Sequence, residues 1–196
     1  MAHFSQSYTD FKWLNTSNPY IVQSGYKWLR QGLPKVAWRF LCWNPLNIPK
    51  TSFIFWALML QRLLTKDRLT RMGIVVDVQC EICRIMPEDH QHLFYSCDYS
   101  TECSRLLQQL LQIHFQVAEL IQCYSKAKVS KLQRRFPRAC YVSLFYHIWK
   151  MKAHLKMFVK KLELIIQQVI KDVKTRFQRM NKCILKAKDS LWLQKF

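Results

Sequence analysis

The sequence predicts a mainly α-helical fold, and three observations carry that expectation. Its 196 residues include only three Gly and six Pro, none clustered, so little interrupts regular structure and no flexible linker is evident. Half of the residues are hydrophobic, with seven Trp and twelve Phe, enough for the core of one ordinary domain or two small ones. In the last third, Leu162, Ile166, Val169, Val173, Phe177, Met180 and Ile184 recur at steps of three and four, the period of one helix face. The expected architecture is a helical domain built around a small Cys3His knuckle, followed by a basic helical C-terminal extension.

The elements follow in chain order. Tyr20 to Gln31 carries Tyr20, Val22, Tyr26 and Trp28 or Leu29 near helical spacing, and Gly32 with Pro34 closes it. After Trp38 to Trp43, Pro45 and Pro49 force an extended turn. Thr51 or Ser52 is placed to cap a buried helix from Phe53 to Leu64, and Thr65 to cap a second one that carries Asp67 in its first turn and stops at Gly73. Ile74 to Val78 is β-branched and predicts a short strand leading to Cys80. Arg105 to Cys123 predicts a leucine-rich helix with an irregularity near His114. Pro137 is expected to separate the basic stretch Lys126 to Arg138 from an apolar helix, Ala139 to Trp149. The last helix then carries its apolar stripe on one face and lysines and arginines on the others.

Four residues within eighteen carry the most chemistry: Cys80, Cys83, His92 and Cys97. Two cysteines separated by two residues can wrap one ion from a single turn, and four residues between His92 and Cys97 leave room for a short helical or looped return. Three thiolates and one imidazole complete a tetrahedral Zn²⁺ sphere, which makes the expected role structural, because no position is left open for a substrate water. Ordinary reduced thiols beside a histidine are the competing explanation. Spacing also leaves His90 open as a replacement for His92, and Cys103 for Cys97.

Net charge is +19, and it is unevenly placed. Residues 125–196 contain 19 Lys and Arg against Glu163, Asp172 and Asp189, a balance of +16, whereas residues 1–124 balance at +3. Such asymmetry points to polyanions, RNA or DNA before an anionic membrane surface, with a merely solvated helix surface as the competitor. Candidate phosphate contacts are Lys126, Lys128, Lys131, Arg134, Arg135, Arg138, Lys160, Lys161, Lys171, Lys174 and Arg176. Tyr95, between the candidate ligands His92 and Cys97, is a candidate for stacking on an unpaired base, while Phe94 is expected to pack. The apolar stripe of the last helix admits a helix partner instead. Met1 to Asp10 is polar and the longest apolar run, Phe53 to Leu60, is too short to cross a bilayer, so a soluble intracellular protein is expected, with its scattered Cys42, Cys123, Cys140 and Cys183 reduced. Enzyme signatures are missing: nothing upstream of Cys80 matches a zinc deaminase, His90 and His92 are too close for a helix-borne metalloprotease pair, and no glycine-rich phosphate loop occurs.

Taken in order, several strings resemble the zinc-binding domain that follows the reverse transcriptase of plant LINE-type (non-LTR) retrotransposons. They are Tyr20-Ile21-Val22-Gln23-Ser24-Gly25-Tyr26-Lys27-Trp28-Leu29, Trp38 and Trp43, Pro45-Leu46-Asn47-Ile48-Pro49-Lys50, Phe53-Ile54-Phe55-Trp56, Arg62 to Leu69, Met72-Gly73-Ile74, Cys80-Glu81-Ile82-Cys83 and His92 to Cys97. The resemblance covers residues 18–105, taken as one domain, and continues loosely into the basic region 106–196 at Tyr146-His147-Ile148-Trp149-Lys150. Two features depart from the family pattern: Thr101-Glu102-Cys103 stands where a Trp is common, and Met151-Lys152-Ala153 stands where an Arg-Asn pair usually follows. The resemblance implies a module that handles template RNA or target DNA beside a reverse transcriptase, in the nucleus. No Tyr-x-Asp-Asp segment is present and only twelve acidic residues exist, so the chain is not expected to be an enzyme in its own right.

Overall fold

The computed structural model describes residues 36–112, 130–154, 162–180 and 187–196. The chain divides into two compact units, Met1–Val36 and Ala37–Phe196, and apart from Val36 the described residues belong to the second. The predicted helix at Tyr20 to Gln31, the leucine-rich stretch beyond Gln112, Ile184, and Lys126, Lys128, Lys160 and Lys161 lie outside the described residues. The described residues form helices α1 (Arg39–Cys42), α2 (Pro49–Met59), α3 (Lys66–Arg71), a π-helical turn (His92–Ser96), α4 (Asp98–Leu111), α5 (Lys131–His154), α6 (Leu162–Met180) and α7 (Ala187–Leu193).

Local chemistry sets the helix ends. Between α1 and α2, Asn47 Nδ2 donates to the carbonyls of Leu41 (2.7 Å) and Cys42 (3.0 Å), and Asn44 Nδ2 donates to the Arg135 carbonyl (2.7 Å), which ties the double-proline turn to α5. Helix α2 starts at Pro49, earlier than the cap expected at Thr51 or Ser52: proline suits the first helical position because that N–H lacks a helical partner anyway. Thr51 lies inside the first turn and donates its hydroxyl to the Ile48 carbonyl at 2.8 Å. The helix ends at Met59, before Gln61 takes a left-handed backbone (φ 53°), short of the predicted Leu64. Thr65 is the N-cap of α3, and Gly73 follows its end at φ 80°, where a side chain is disfavoured.

Two expectations are corrected. Ile74 to Val78 forms no strand; among the described residues there is only an isolated antiparallel bridge between Gln79 and Pro87. The β-branched run finds no neighbouring strand to pair with, and Val75 is 99 % exposed, so local propensity meets no packing to support it. Pro137 does not divide two helices but lies within α5. At the seventh position it leaves only the Gln133 carbonyl without its helical donor, while burial of Phe136, Ala139, Cys140, Leu144 and Ile148 holds the helix together on either side.

Helix α5 is the axis of the unit, contacting α1, α2, α4, α6 and the π-turn. From its flank α6 buries Ile165, Ile166, Val169, Ile170, Val173 and Phe177. Among the described residues the predicted stripe is thus consumed within the molecule, except that Met180 is exposed. Phe136 of α5 closes the other end against Trp192 and Phe196, both with ring centroids at 5.6 Å. The boundary expected between residues 105 and 106 falls inside α4. Of the scattered cysteines, Cys42 and Cys140 are buried free thiols, and Cys123 and Cys183 lie outside the described residues. No described helix is long and apolar enough to cross a membrane.

Candidate metal centre

The site is assembled from two local devices. Around the Gln79–Pro87 bridge, Cys80 N donates to Met86 O (2.8 Å) and Glu88 N to Val78 O (2.8 Å), so the chain folds back on itself. At the tip Arg84 N returns to Cys80 O at 2.8 Å, with Arg84 in a left-handed conformation (φ 55°). This turn places Cys80 and Cys83 on the same side. The second device is the π-turn: Cys97 N donates to His92 O at 2.7 Å, closing five residues in one turn and bringing imidazole and thiol to one end. Asp89 Oδ1 accepts the His92 amide at 2.6 Å and anchors the turn's start.

One donor atom from each of Cys80, Cys83, His92 and Cys97 lies within 4.8 Å of the others, and Cys83 Sγ is 3.2 Å from His92 Nε2. A tetrahedral Zn²⁺ with three sulfurs and one nitrogen sets its donors about 3.6–3.8 Å apart, from the usual bond lengths. The cluster therefore fits such an ion with small side-chain adjustments. Cys80 and Cys97 are fully buried, Cys83 and His92 partly so.

Hydrogen bonding within the cluster already favours an anionic sulfur. The bond between Cys80 and Cys97 lifts the Cys80 thiol well above the usual thiol range, with burial adding to the rise, and lowers that of Cys97. Backbone amides of Tyr99 and Ser100 also reach Cys97, which is the N-cap of α4, where the positive end of the helix supports a thiolate. Amides of Ile82 and Cys83 serve Cys80 in the same way. These are the contacts a metal-bound sulfur uses.

The two other candidates are placed elsewhere. His90 Nδ1 stands 3.2 Å from Thr65 Oγ1, its pKa lowered by burial. Cys103 is buried in α4 next to Tyr99, its thiol pushed up to about 12 by burial. Phe94 packs, 1 % exposed, against Phe145 and Trp149 of α5. Tyr95 is half-exposed with its ring 5.7 Å from that of Phe145.

Sequence reasoning missed the charges that fasten the knuckle to the helices. Glu88, 1 % exposed, accepts from Lys66 N (3.0 Å) and Lys152 Nζ (2.6 Å), and Lys152 Nζ also donates to Leu64 O at 2.6 Å. Lys66 Nζ reaches Glu81 Oε1 and Gln79 O, both at 2.7 Å. Burial opposes the Lys66 charge, yet Glu81, Asp77 and Glu88 together raise its pKa. No local motif signals these contacts, since their partners are far apart in sequence.

The predicted phosphate contacts fall into two groups. Lys131, Arg134, Arg135 and Arg138 occupy the first turns of α5, and Lys171, Lys174 and Arg176 lie on α6. Arg135 and Arg138 line a groove with Arg39, whereas Lys171 and Lys174 line another with Leu110 and Ile166.

Residues 20–103 match the family model described as zinc-binding in reverse transcriptase, and all four cluster residues fall within that span. No curated protein and no solved structure matches the chain.

Proposed function

We propose that the chain is a non-catalytic, zinc-organised nucleic-acid-binding module that derives from the region after the polymerase of a plant LINE-type reverse transcriptase and works in the nucleus. Convergence of Cys80, Cys83, His92 and Cys97 inside the matched segment carries the reading. Four protein donors fill the sphere of a structural ion, so the metal's role is to hold the knuckle against α5. Binding then falls to the cationic surface: Lys131, Arg134, Arg135 and Arg138 on one helix and Lys171, Lys174 and Arg176 on the next, under a net charge of +19. Contacts of that kind supply affinity for RNA or DNA without reading bases. The competing helix-partner reading loses support because the α6 stripe is buried against the chain's own helices.

Zinc-loaded protein titrated with labelled RNA and DNA across a salt series tests this function. The expected result is an affinity that falls linearly on a logarithmic salt scale. Absence of binding at low salt, or affinity indifferent to salt, contradicts it.

A further inference from the structure

Helix α1 and the residue that ends it carry exposed aromatic surface. Trp43 is 68 % exposed and Phe40 53 %. Both line a groove of about 340 Å³ together with Pro45, Arg39, Arg135 and Arg138, where the double-proline turn meets the start of α5. The Arg39 guanidinium stands 4.2 Å from the centre of the Phe40 ring. Asn44 fixes the two walls by donating to the Arg135 carbonyl.

Every charged side chain that lines this groove is an arginine. Residues 11–66 and 120–162, the stretches that supply both walls, contain no Asp or Glu. Among the described residues no carboxylate pairs with Arg39 or Arg135. Exposed aromatic faces between arginines suit a ligand that alternates flat rings with phosphates. A duplex hides its base faces, so the match is to unpaired nucleotides.

We propose that this groove binds single-stranded nucleic acid, with a base stacked on Trp43 and the flanking phosphates held by Arg39 and Arg135. The inference rests on the nucleic-acid-binding reading and gives it a location and a strand preference. Tyr95, the stacking candidate by sequence, sits against Phe145 outside this groove.

The test uses the full zinc-loaded chain and follows fluorescence anisotropy of labelled oligothymidine and of a hairpin duplex. Trp43→Ala is expected to weaken oligothymidine binding about ten- to a hundredfold and to leave duplex binding nearly unchanged, the loss of one base–aromatic stack. Trp43→Phe should recover most of that affinity. Arg135→Ala should reduce the salt slope by about 0.7, the share of one phosphate on a single strand. Metal content and circular dichroism of each variant establish that it is folded, as expected for a side chain largely in solvent. Wild-type-like oligothymidine binding by Trp43→Ala overturns the groove while leaving the proposed function standing; it is also the outcome if a protein segment occupies this surface. Equal losses for single strand and duplex overturn it too. If the wild-type chain binds neither probe, the proposed function itself fails.

Discussion

Lys152 Nζ lies 2.6 Å from Glu88 Oε1, joining the last turn of the central helix to the loop that returns from the two cysteines of the knuckle. The Glu88 side chain is fully shielded from solvent and that of Lys152 is 11 % exposed, so neither charge is easily hydrated when its partner is removed. Oε2 of Glu88 has no hydrogen-bond partner of its own, which leaves Oε1 as the contact that matters. This pair ties the loop of the Cys3His cluster to the basic helix, beside the packing of Phe94 and Tyr95 on Phe145.

Breaking the pair on one side should be strongly destabilising. Glu88→Gln retains the shape but strands a buried ammonium, and a loss of about 3–5 kcal/mol is expected from a half-broken buried ion pair. Glu88→Gln combined with Lys152→Met removes both charges and should recover a large part of that loss. Urea denaturation of the zinc-loaded single and double variants gives the comparison. Additive losses would show that the two residues do not act as partners.

Removing the metal should undo the knuckle first. Residues 79–97 have no strand pairing beyond the Gln79–Pro87 bridge, and most of their backbone hydrogen bonds only close turns within the segment. A structural zinc supplies on the order of 10 kcal/mol of folding free energy in small modules. Chelation, or Cys83→Ser, is therefore expected to release the ion and abolish amide protection around Cys80 to Cys97, and, because the knuckle packs on α5, to lower the denaturant midpoint of the helical signal that remains. Metal content and hydrogen exchange measured together check this; a protein that stays protected after chelation would not depend on the ion.

Much of this was legible in the sequence because it is local. Ligand spacing, the Thr65 cap, the Gly73 stop and the three-and-four period of Ile166, Val169, Val173 and Phe177 each depend on residues within one or two turns. What could not be read depends on distant partners. Ile74 to Val78 has strand propensity without a neighbouring strand, and Pro137 is tolerated because buried side chains on both sides hold its helix. Glu88 and Lys152 are 64 positions apart, and neither type of residue suggests burial. The arginine-lined aromatic groove likewise exists only once the turn after α1 meets α5.

Stability should decline on the alkaline side, with Cys42 contributing. Burial raises its thiol from the ordinary 9.0 to about 11, and the sulfur donates to the Ser52 carbonyl at 3.5 Å. A folded-state value above the unfolded one means that the contribution is complete below about pH 9 and is lost as the pH rises through 11. Cys42→Ala should flatten the difference in unfolding free energy between pH 8 and pH 10.5 relative to wild type. Acid loss of the zinc thiolates does not interfere in this range, since ligand deprotonation favours metal binding. An unchanged slope in the variant would place the alkaline response elsewhere.

Phe145 offers the sharpest test of whether the matched segment and the basic region fold together. Its ring in α5 lies 5.8 Å from Phe55 of α2, 5.9 Å from Phe94 and 5.7 Å from Tyr95 of the π-turn. Truncating such a buried aromatic removes contacts with two elements at once, and Phe145→Ala is expected to lose about 3–5 kcal/mol. If residues 18–105 and 106–196 were separate folding units, that loss would appear only in the helical signal of the C-terminal region. Packing of α5 on α2, α4 and the π-turn predicts instead that zinc release and helix unfolding shift together in denaturant. Following both signals in one titration distinguishes the cases: coincident midpoints that move by the same amount support a single cooperative unit, and a zinc-release midpoint that stays at the wild-type value rejects it.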